Sequence, residues 1–396
     1  MQDDVNKLDL DCYNSLDLEY LRFLKHEEKK DKIPQISLDS FNLLTIIGQG
    51  NYAKVSLVCK KDDGQVYALK ALKKKYLQVN NQINQVLTER NILQTVNNKY
   101  IVKMKYAFQD KKKLFFVLEF CPGGDLFTLL QTKEYLNEKQ TKFYAAQIIK
   151  AFEYLHSYNI IYRDLKPENV LIDSEGYIKL TDFGLSKMDI THEKAAISFC
   201  GTPEYLSPEI ILQQGHGKAS DWWTLGNIIY EMIIGTLPFY DINRYVLFEN
   251  IKTKPFKEHE KIQGNLKNLI EGLLQKNPEK RLGSINGAQD IINHPWFSDL
   301  NWDHLRERII QPPFKPKLEN SVDVSYIAQE FLELPIFSPE ESLQSGQSLG
   351  IQSFFLYIQI FFFYIFLFKI LHLIHKKNSI FRVIIIQIQF LIIKKK

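Results

Sequence analysis

The residue pattern of this chain changes once, near residue 126, and that change constrains the fold more than any other feature. From Phe41 to about residue 120, short runs of β-branched and aromatic residues alternate with Gly-rich turns, which is typical of an antiparallel sheet. Within that region, residues 81–96 have apolar side chains at helical spacing. After Leu126, four long segments have the same spacing, which predicts helices. We therefore expect an α+β protein of two lobes, a small antiparallel-sheet lobe with one main helix and a larger, mainly helical lobe.

Composition excludes several classes of protein. The chain has 396 residues and a net charge of +4, yet residues 351–396 hold seven basic residues and no acid. Without them the balance is 43 basic against 46 acidic residues, or −3, so we expect no nucleic-acid partner, which would need a basic face. The four cysteines form no Cys-x-x-Cys pair, which argues against a zinc site or a disulfide framework. The acidic start is no signal peptide, and together these features predict a cytoplasmic protein.

Two glycines in the sheet-rich segment form the first candidate phosphate site. Gly48 and Gly50 lie between predicted strands, where glycine lets the backbone approach phosphates closely. A dinucleotide fingerprint needs a helix after its glycines, whereas a strand follows here, so an ordinary hairpin turn is the alternative. Lys70, at a strand end, can hold phosphate oxygens if an acid such as Glu89 orients it. Taken singly, each of these two residues is more typical of a solvated surface.

The strongest chemical signal is a pair of short motifs in the helical part of the chain. Residues 161–169 read Ile-Tyr-Arg-Asp-Leu-Lys-Pro-Glu-Asn, and residues 181–184 read Thr-Asp-Phe-Gly. Asp164 can accept a hydroxyl proton, Asn169 can hold a metal ion, and Asp182, 18 residues after Asp164, can hold Mg²⁺ that bridges phosphates. These motifs, in this order after the glycine pair, indicate phosphoryl transfer.

With these motifs the chain resembles the protein kinase catalytic domain over residues 41–297. A Ser-Pro-Glu triplet at 207–209 stands where that family usually has Ala-Pro-Glu, and Arg281 also matches the family pattern. Lys166, within Asp-Leu-Lys-Pro-Glu-Asn, is similar to the serine/threonine branch rather than the tyrosine branch. The resemblance implies the bilobal protein kinase fold.

Further details are similar to the AGC group of serine/threonine kinases, which includes the cyclic-nucleotide-dependent kinases. Tyr162 stands where most kinases have His, residues 198–205 read Ser-Phe-Cys-Gly-Thr-Pro-Glu-Tyr, and residues 312–316 read Pro-Pro-Phe-Lys-Pro. The implied domains are an N-terminal extension 1–40, a small lobe 41–118, a hinge 119–125, a large lobe 126–297, an AGC-type C-terminal tail 298–340 and an apolar, basic tail 341–396.

The resemblance implies that ATP binds between the lobes together with Mg²⁺. The residues that it implies for nucleotide binding are Gly48, Gly50, Val55, Ala68, Lys70, Glu119, Cys121, Asp125 and Leu171. Those implied for catalysis are Asp164 as the base or hydroxyl-orienting group, Lys166 near the transferred phosphate, and the Lys70–Glu89 pair. Asn169 and Asp182 are the implied ligands of Mg²⁺.

The resemblance also implies regulatory and substrate-reading residues. Ser198 is the implied activating phosphosite, whose phosphate can pair with Arg163 and Lys187, and Ser338 resembles a second phosphosite in the tail. The expected partners are an upstream activating kinase and protein substrates with Ser or Thr near basic residues. The acids implied in reading those basic residues are Asp125, Glu168 and Glu231, and Thr202 is implied in substrate binding.

The apolar, basic tail fits several interpretations. Residues 353–374 are long and apolar enough to span a bilayer, although Lys369 interrupts them. A single crossing would place the later basic residues outside, against the positive-inside tendency, so a membrane hairpin or an interfacial segment is an alternative. The composition of 351–396 also resembles translated AT-rich non-coding DNA, which predicts a gene-model artefact. A packed element is the remaining alternative.

The leading interpretation is an active serine/threonine kinase that works as a monomer, membrane-associated only if the tail inserts. A pseudokinase acting as a scaffold or allosteric partner is the first alternative, but Lys70, Asp164, Asn169 and Asp182 are all present. A small-molecule phosphotransferase with a similar cleft is the second. The Ser-Pro-Glu triplet, the activation segment and Arg281 argue against it.

Overall fold

The structure of the chain, a computed structural model, describes residues 36–50, 53–190, 196 and 200–336. A small lobe with a five-stranded antiparallel sheet precedes a larger lobe that is mainly helical, so the predicted α+β, two-lobed fold is confirmed. Ser198, Ser338 and the apolar segment 353–374 lie outside the described residues. Of the helices that the structure describes, none is both long and apolar enough to cross a bilayer.

The small lobe is built on five strands in the spatial order β1-β2-β3-β5-β4. Their β-branched and aromatic residues suit a pleated surface that packs on both faces. One face carries an apolar cluster that includes Phe41, Tyr67 and Phe115, while Ala68 and Leu72 face the main core. The strands are β1 (Phe41–Gln49), β2 (Ala53–Lys60), β3 (Val66–Lys73), β4 (Met104–Gln109) and β5 (Lys113–Glu119).

Two helices accompany this sheet where the sequence predicts one main helix. Helix α1 (Lys74–Val79) is a short piece directly after β3, and α2 (Ile83–Thr95) is the expected one. Helix α2 buries Val86, Ile92 and Leu93 in the main core. Its position beside β4 brings its one buried acid towards the cleft between the lobes.

The large lobe is organised around two long helices, α4 and α6, which pack against each other. Helix α6 ends at Gly235, whose φ of 86° closes the helix in a left-handed conformation that favours glycine. The helices are α3 (Leu126–Lys133), α4 (Glu138–Ser157), α5 (Pro208–Ile211), α6 (Lys218–Ile234), α7 (Arg244–Thr253), α8 (Gly264–Leu273), α9 (Ala288–Ile292), α10 (Trp302–Arg306) and α11 (Gln329–Leu332).

A two-stranded hairpin lies at the base of the cleft, formed by β6 (Val170–Ile172) and β7 (Ile178–Leu180). It joins the lobes, since Leu180 forms a parallel bridge with Ile101 just before β4. The two motifs with the strongest chemical signal flank this hairpin, one before β6 and the other after β7. The hairpin therefore brings together two motifs whose acids, Asp164 and Asp182, are 18 residues apart.

The segment after the large lobe runs back across the hinge to the small lobe. Its backbone passes so close to two glycines that a Cβ on Gly124 would lie 2.4 Å from the Tyr326 carbonyl oxygen, and one on Gly176 would lie 2.1 Å from that of Phe314. At the far end, Lys54 Nζ on β2 donates to the carbonyl oxygen of Pro335 at 2.6 Å. This extension thus contacts both lobes and the glycine-bearing β1–β2 turn region.

Candidate active site

A lysine on the small-lobe sheet and an acid on helix α2 form the first element of the site. Lys70 lies on β3, opposite Val55 on one side and Phe116 on the other. Its Nζ is 2.6 Å from Oε1 of Glu89, which is 2% exposed. Burial raises the pKa of the Glu89 carboxyl, and the Lys70 ammonium opposes that shift. The pairing that we predicted from the resemblance is present as a contact in the structure.

The same lysine contacts the acid that follows β7. Lys70 Nζ lies 3.3 Å from Oδ1 of Asp182. The Lys70 ammonium holds the pKa of Asp182 below its usual value, although burial acts in the opposite direction. Asp182 has a φ of 57°, a conformation that is uncommon for a residue other than glycine. Its carboxylate is thus ionised and directed into the cleft by a strained backbone.

The loop before β6 positions a second acid. Asn169 Nδ2 donates to both the carbonyl oxygen and Oδ2 of Asp164, each at 2.8 Å. Lys166 Nζ lies 3.3 Å from the same Oδ2 and donates to Oγ1 of Thr202 at 3.2 Å. Burial is the main cause that raises the pKa of Asp164, and the Lys166 ammonium opposes it. Asp164, Lys166, Asn169 and Thr202 therefore form one hydrogen-bonded group.

A buried carboxylate behind this loop, which sequence reasoning left without a role, holds its backbone. Asp221 on α6 accepts hydrogen bonds from the backbone N–H groups of Tyr162 and Arg163, both at 2.9 Å. Its Oδ2 also lies 2.8 Å from Nε2 of His156 on α4. The place of Asp221 directly before Trp222 and Trp223 in a predicted helix is the sequence signal that could have revealed this role, because an acid buried with such residues needs polar partners.

A second buried ion pair ties the segment after Thr202 to the large lobe. Arg281 Nη1 and Nη2 contact Oε1 and Oε2 of Glu209 at 2.7 and 2.9 Å. The guanidinium also donates to the carbonyl oxygens of Gln275 and Ala219. The side chains of Arg281 and Glu209 are 0% and 2% exposed, so the pair is enclosed by protein. These two residues connect the Ser-Pro-Glu triplet to the loop that follows α8.

The glycine turn is connected to Lys70 through the sheet, because Val55 pairs with both Gly48 and Lys70. Gly48 is paired with Val55 across β1 and β2, and the Gly50 N–H donates to the Ala53 carbonyl oxygen at 2.9 Å. The two residues between them, 51 and 52, are outside the described part of the chain. Ala68 on β3 is buried opposite Leu118 of β5. Val55, Ala68 and Leu171 of β6 all belong to the main apolar core or pack against it.

The hinge residues predicted to contact a nucleotide have structural partners of their own. Glu119 Oε1 accepts from Lys179 Nζ at 2.7 Å and from the Lys103 N–H at 2.8 Å. Cys121 is buried, which raises the pKa of its thiol and keeps it neutral. Asp125 caps helix α3, because its Oδ1 accepts from the Thr128 N–H at 2.7 Å. Lys179, which fixes Glu119, was not among the predicted residues.

The predicted substrate acids differ in exposure. Glu168 is exposed, whereas Glu231 on α6 is largely buried and accepts a hydrogen bond of 2.7 Å from the Tyr205 hydroxyl. Burial raises the pKa of Glu231 to about 7, while the hydrogen bond from Tyr205 acts against this shift. Glu168 belongs to the Asp164 loop itself, and its charge also raises the pKa of Glu231, so the two acids are near each other. Tyr205 is a further member of this group that sequence reasoning missed.

Of the four residues proposed for regulation, the structure describes two, Arg163 and Lys187. Arg163 has a φ of 68°, and its Nε donates to the Leu185 carbonyl oxygen at 2.6 Å. The backbone of Lys187 pairs with Ile161, two residues before Arg163. The two cations are therefore close in the fold.

The donor set of the cleft fits a nucleotide with a hard divalent cation. The nitrogen of the Asn169 amide is engaged by Asp164, which leaves the amide oxygen as the ligand atom, and Asp182 contributes carboxylate oxygen. The described residues contain no group of three His, Cys, Asp or Glu side chains arranged as a metal site. A hard divalent cation such as Mg²⁺ needs few protein ligands when phosphate and water oxygens complete its coordination, so Asn169 and Asp182 would suffice to hold it. Lys70 adds a cation for phosphate oxygens.

The cleft, its acids and the two-lobed fold define the class of a protein kinase. A family model described as "Protein kinase domain" matches residues 41–297. The chain therefore belongs to the protein kinase domain family, and its resemblance to the AGC group of serine/threonine kinases is confirmed by the relatives that it matches.

Three of those relatives show the extent of the similarity. Serine/threonine-protein kinase gad8 of Schizosaccharomyces pombe is 45% identical over 311 residues, which cover 78% of this chain and 54% of that protein. Serine/threonine-protein kinase sgk-1 of Caenorhabditis elegans is 44% identical over 301 residues, 75% of this chain and 65% of that protein. Serine/threonine-protein kinase Sgk1 of Gallus gallus is 42% identical over 319 residues, which cover 80% of this chain and 73% of that protein. The chain thus spans about half to three-quarters of the length of these relatives.

Proposed function

We propose that this chain transfers the γ-phosphoryl group of ATP to serine or threonine residues of protein substrates, with Mg²⁺. The observation that carries this proposal is the convergence of two groups in one cleft. Lys70, Glu89 and Asp182 form the first group, and Asp164 with Asn169 forms the second. Protein kinases work mostly by positioning and electrostatic stabilisation, and these are the charges that such a mechanism needs.

Each side chain has a distinct task in this proposal. Lys70, held by Glu89, binds phosphate oxygens of the nucleotide, and the N–H groups of the glycine turn cover them. Asn169 and Asp182 hold Mg²⁺, which supplies positive charge against the charge developing on the phosphates. Asp164 orients the substrate hydroxyl group and accepts its proton. The raised pKa of Asp164 suits this task, because a carboxylate with a higher pKa is a better base.

Lys166 balances the charge around the substrate hydroxyl group. It lies between Asp164 and Thr202, so its ammonium can contact the phosphate during transfer while Thr202 holds it in place. Leu171, Val55 and Ala68 provide apolar surface for the adenine ring, and the backbones of Glu119 and Cys121 offer it hydrogen bonds. Asp125 is a candidate for the ribose or for a basic substrate residue.

The substrate preference that we propose is for basic residues near the target serine or threonine. Glu168 and Glu231 support it, because the first lies in the loop that carries Asp164, the second lies near it on α6, and no described ion pair neutralises either of them. An arginine side chain placed between them would be attracted by both, and the Tyr205 hydroxyl would orient Glu231.

Regulation is proposed to act through phosphorylation. A phosphate on Ser198 would carry nearly two negative charges, and Arg163 and Lys187 are the cations that the proposal assigns to bind it. Ser338 is a second proposed phosphosite. An upstream kinase is then required, and the dependence on ATP argues for a cytoplasmic location.

The direct test is a radiolabelled-ATP assay on the full chain with a basic serine peptide. We expect phosphorylation that depends on Mg²⁺, and that is lost in Asp182→Ala although this variant retains its folded circular dichroism spectrum. Ser198→Ala is expected to lower the activity. Absence of transfer by the wild-type chain, even after treatment with an activating kinase, would favour a scaffold instead.

A further inference from the structure

Two runs of three lysines, far apart in the sequence, are brought together at one end of the small-lobe sheet. Residues 73–75 end β3 and begin α1, and residues 111–113 form the turn between β4 and β5 and the start of β5. The sheet pairs Lys73 directly with Lys113, and the Lys74 N–H donates to the Lys112 carbonyl oxygen at 2.9 Å. We call residues 73–75 and 111–113 the lysine patch.

The lysine patch is strongly positive because acids are scarce around it. Residues 71–82 and 103–118 contain eight lysines and one acid, Asp110. That carboxylate is turned into its own loop, where it accepts hydrogen bonds from the N–H groups of Lys112 and Lys113, both at 2.6 Å. Lys73, Lys75 and Lys111 are exposed, and none of them forms an ion pair with another described residue.

This arrangement is not what stability alone would produce. Like charges directly opposite each other across a sheet lower its stability, so the pairing of Lys73 with Lys113 works against folding. The half-buried Lys74 has a structural role. Its Nζ donates to Oε1 of Gln109 and to the carbonyl oxygen of Asp110, each at 2.7 Å, and so fixes the β4–β5 turn. Lys73, Lys75 and Lys111 form no ion pair with a described residue, which indicates a surface that binds an anionic partner.

The chemistry of the patch favours a membrane surface over a nucleic acid or a phosphorylated peptide. Residues 71–82 and 103–118 contain no arginine, the residue suited to bidentate recognition of individual phosphates. Lysine acts as a hydrated point charge, which is suited to the diffuse field of many headgroups. The patch lies on the junction of β3 with α1 and on the β4–β5 turn, and the nearby Val79, 74% exposed at the end of α1, adds an aliphatic group for the interface.

We propose that the lysine patch binds the anionic headgroups of a phospholipid bilayer and so recruits the small lobe to a membrane surface. This binding site is separate from the catalytic cleft. Attraction of this kind grows with the number of lysines near the surface, falls off within a Debye length and weakens with salt. It requires no insertion of the described residues into the bilayer.

The test is sedimentation of the full chain with vesicles of phosphatidylcholine that contain either no phosphatidylserine or about 30% of it. The triple variant Lys73→Gln, Lys75→Gln, Lys111→Gln is compared with wild type. The matched control, Lys139→Gln, Lys257→Gln, Lys280→Gln, removes the same charge from exposed positions on the large lobe. Because all three proteins keep residues 337–396, any binding by that segment is common to them.

We expect wild type to bind only the anionic vesicles, with an affinity that falls as salt rises. The patch variant should bind about 100-fold more weakly, since each lysine near a membrane contributes roughly a fivefold factor in affinity, and the control should bind like wild type. The patch variant should also melt at the same temperature as wild type or higher, because repulsion is removed.

Three results would overturn the proposal. The first is equal vesicle binding by wild type and the patch variant. The second is an equal loss in the control, which would mean that net charge alone decides binding. The third is binding of a polyanion such as heparin or RNA by wild type, with no binding to anionic vesicles at the same salt concentration. That result would assign the patch to a different class of partner.

Discussion

Glu231 provides a direct test of the proposal that the cleft recognises a basic residue of the substrate. Its carboxylate lies on α6 and accepts a hydrogen bond of 2.7 Å from the Tyr205 hydroxyl. Burial raises its pKa from 4.5 to about 7, and the hydrogen bond from Tyr205 partly offsets that shift. Glu231 therefore changes charge close to neutral pH, whereas an exposed glutamate is fully ionised there.

The size of the effect follows from this pKa. A carboxyl group with a pKa near 7 is about nine-tenths ionised at pH 8 and about one-tenth ionised at pH 6. Because only the ionised form attracts an arginine side chain, KM for an arginine-containing peptide should rise about tenfold as the pH falls from 8 to 6. The value of kcat should carry little of this dependence, since in our proposal Glu231 binds the substrate in the ground state and the transition state alike.

The assay compares kcat/KM for two peptides that differ only in having Arg or Gln before the target serine. Their ratio cancels the titration of Asp164 and of the nucleotide, which both peptides share. For wild type the ratio should fall as the pH falls from 8 to 6. In Glu231→Gln it should be low and independent of pH, while Glu279→Gln, a change at an exposed glutamate of the large lobe, should behave like wild type. A flat wild-type ratio, or an unchanged profile in Glu231→Gln, would refute the assignment.

Three other changes test separate parts of the structure. Lys70→Met should lower kcat/KM by about 100-fold or more without unfolding the protein, and activity near the wild-type value would contradict the role of this lysine. Arg281→Met leaves the Glu209 carboxylate buried and unpaired, so urea titration should show a loss of about 3–5 kcal/mol in the free energy of unfolding; the further change Glu209→Leu should recover part of it. Gly176→Ala places a Cβ 2.1 Å from the Phe314 carbonyl oxygen at a φ of 94°, so limited proteolysis should cut the displaced extension faster than in wild type. Equal cleavage would show that the extension is not held there.

The long, periodic elements of the fold were predictable from the sequence. The strands of the small lobe and helices α2, α4, α6 and α8 follow from alternation or from three- and four-residue spacing of apolar side chains. The hairpin of β6 and β7 was not predicted, because three-residue strands are too short for a periodic signal. Helix α7 was also missed: its buried residues Leu247 and Ile251 lie on one face, but the exposed apolar residues Tyr245 and Val246 obscure that face in the sequence.

Within the candidate site, contacts between residues close in the sequence were easier to predict than contacts between distant elements. The contact between Asp164 and Asn169 joins residues five positions apart, within one loop, and short motifs encode such contacts. The Lys70–Glu89 pair joins a strand to a helix; the sequence alone offered Glu89 only as one candidate acid, and the family resemblance implied the pairing. The partners that support the site were unassigned, because Lys179 and Tyr205 reach Glu119 and Glu231 from other elements.

The role of Asp221 shows why such a supporting residue is needed. Arg163 and Asp182, on either side of the β6–β7 hairpin, both have positive φ angles, which cost roughly 1–3 kcal/mol each for a residue other than glycine. A loop with this strain would relax unless its backbone were held from behind. Asp221 holds it, because its fully buried carboxylate accepts the N–H groups of Tyr162 and Arg163. The same carboxylate also contacts Nε2 of His156 on α4. Because a buried carboxylate that loses hydrogen bonds is strongly destabilised, these contacts hold the strained backbone at Arg163 in place.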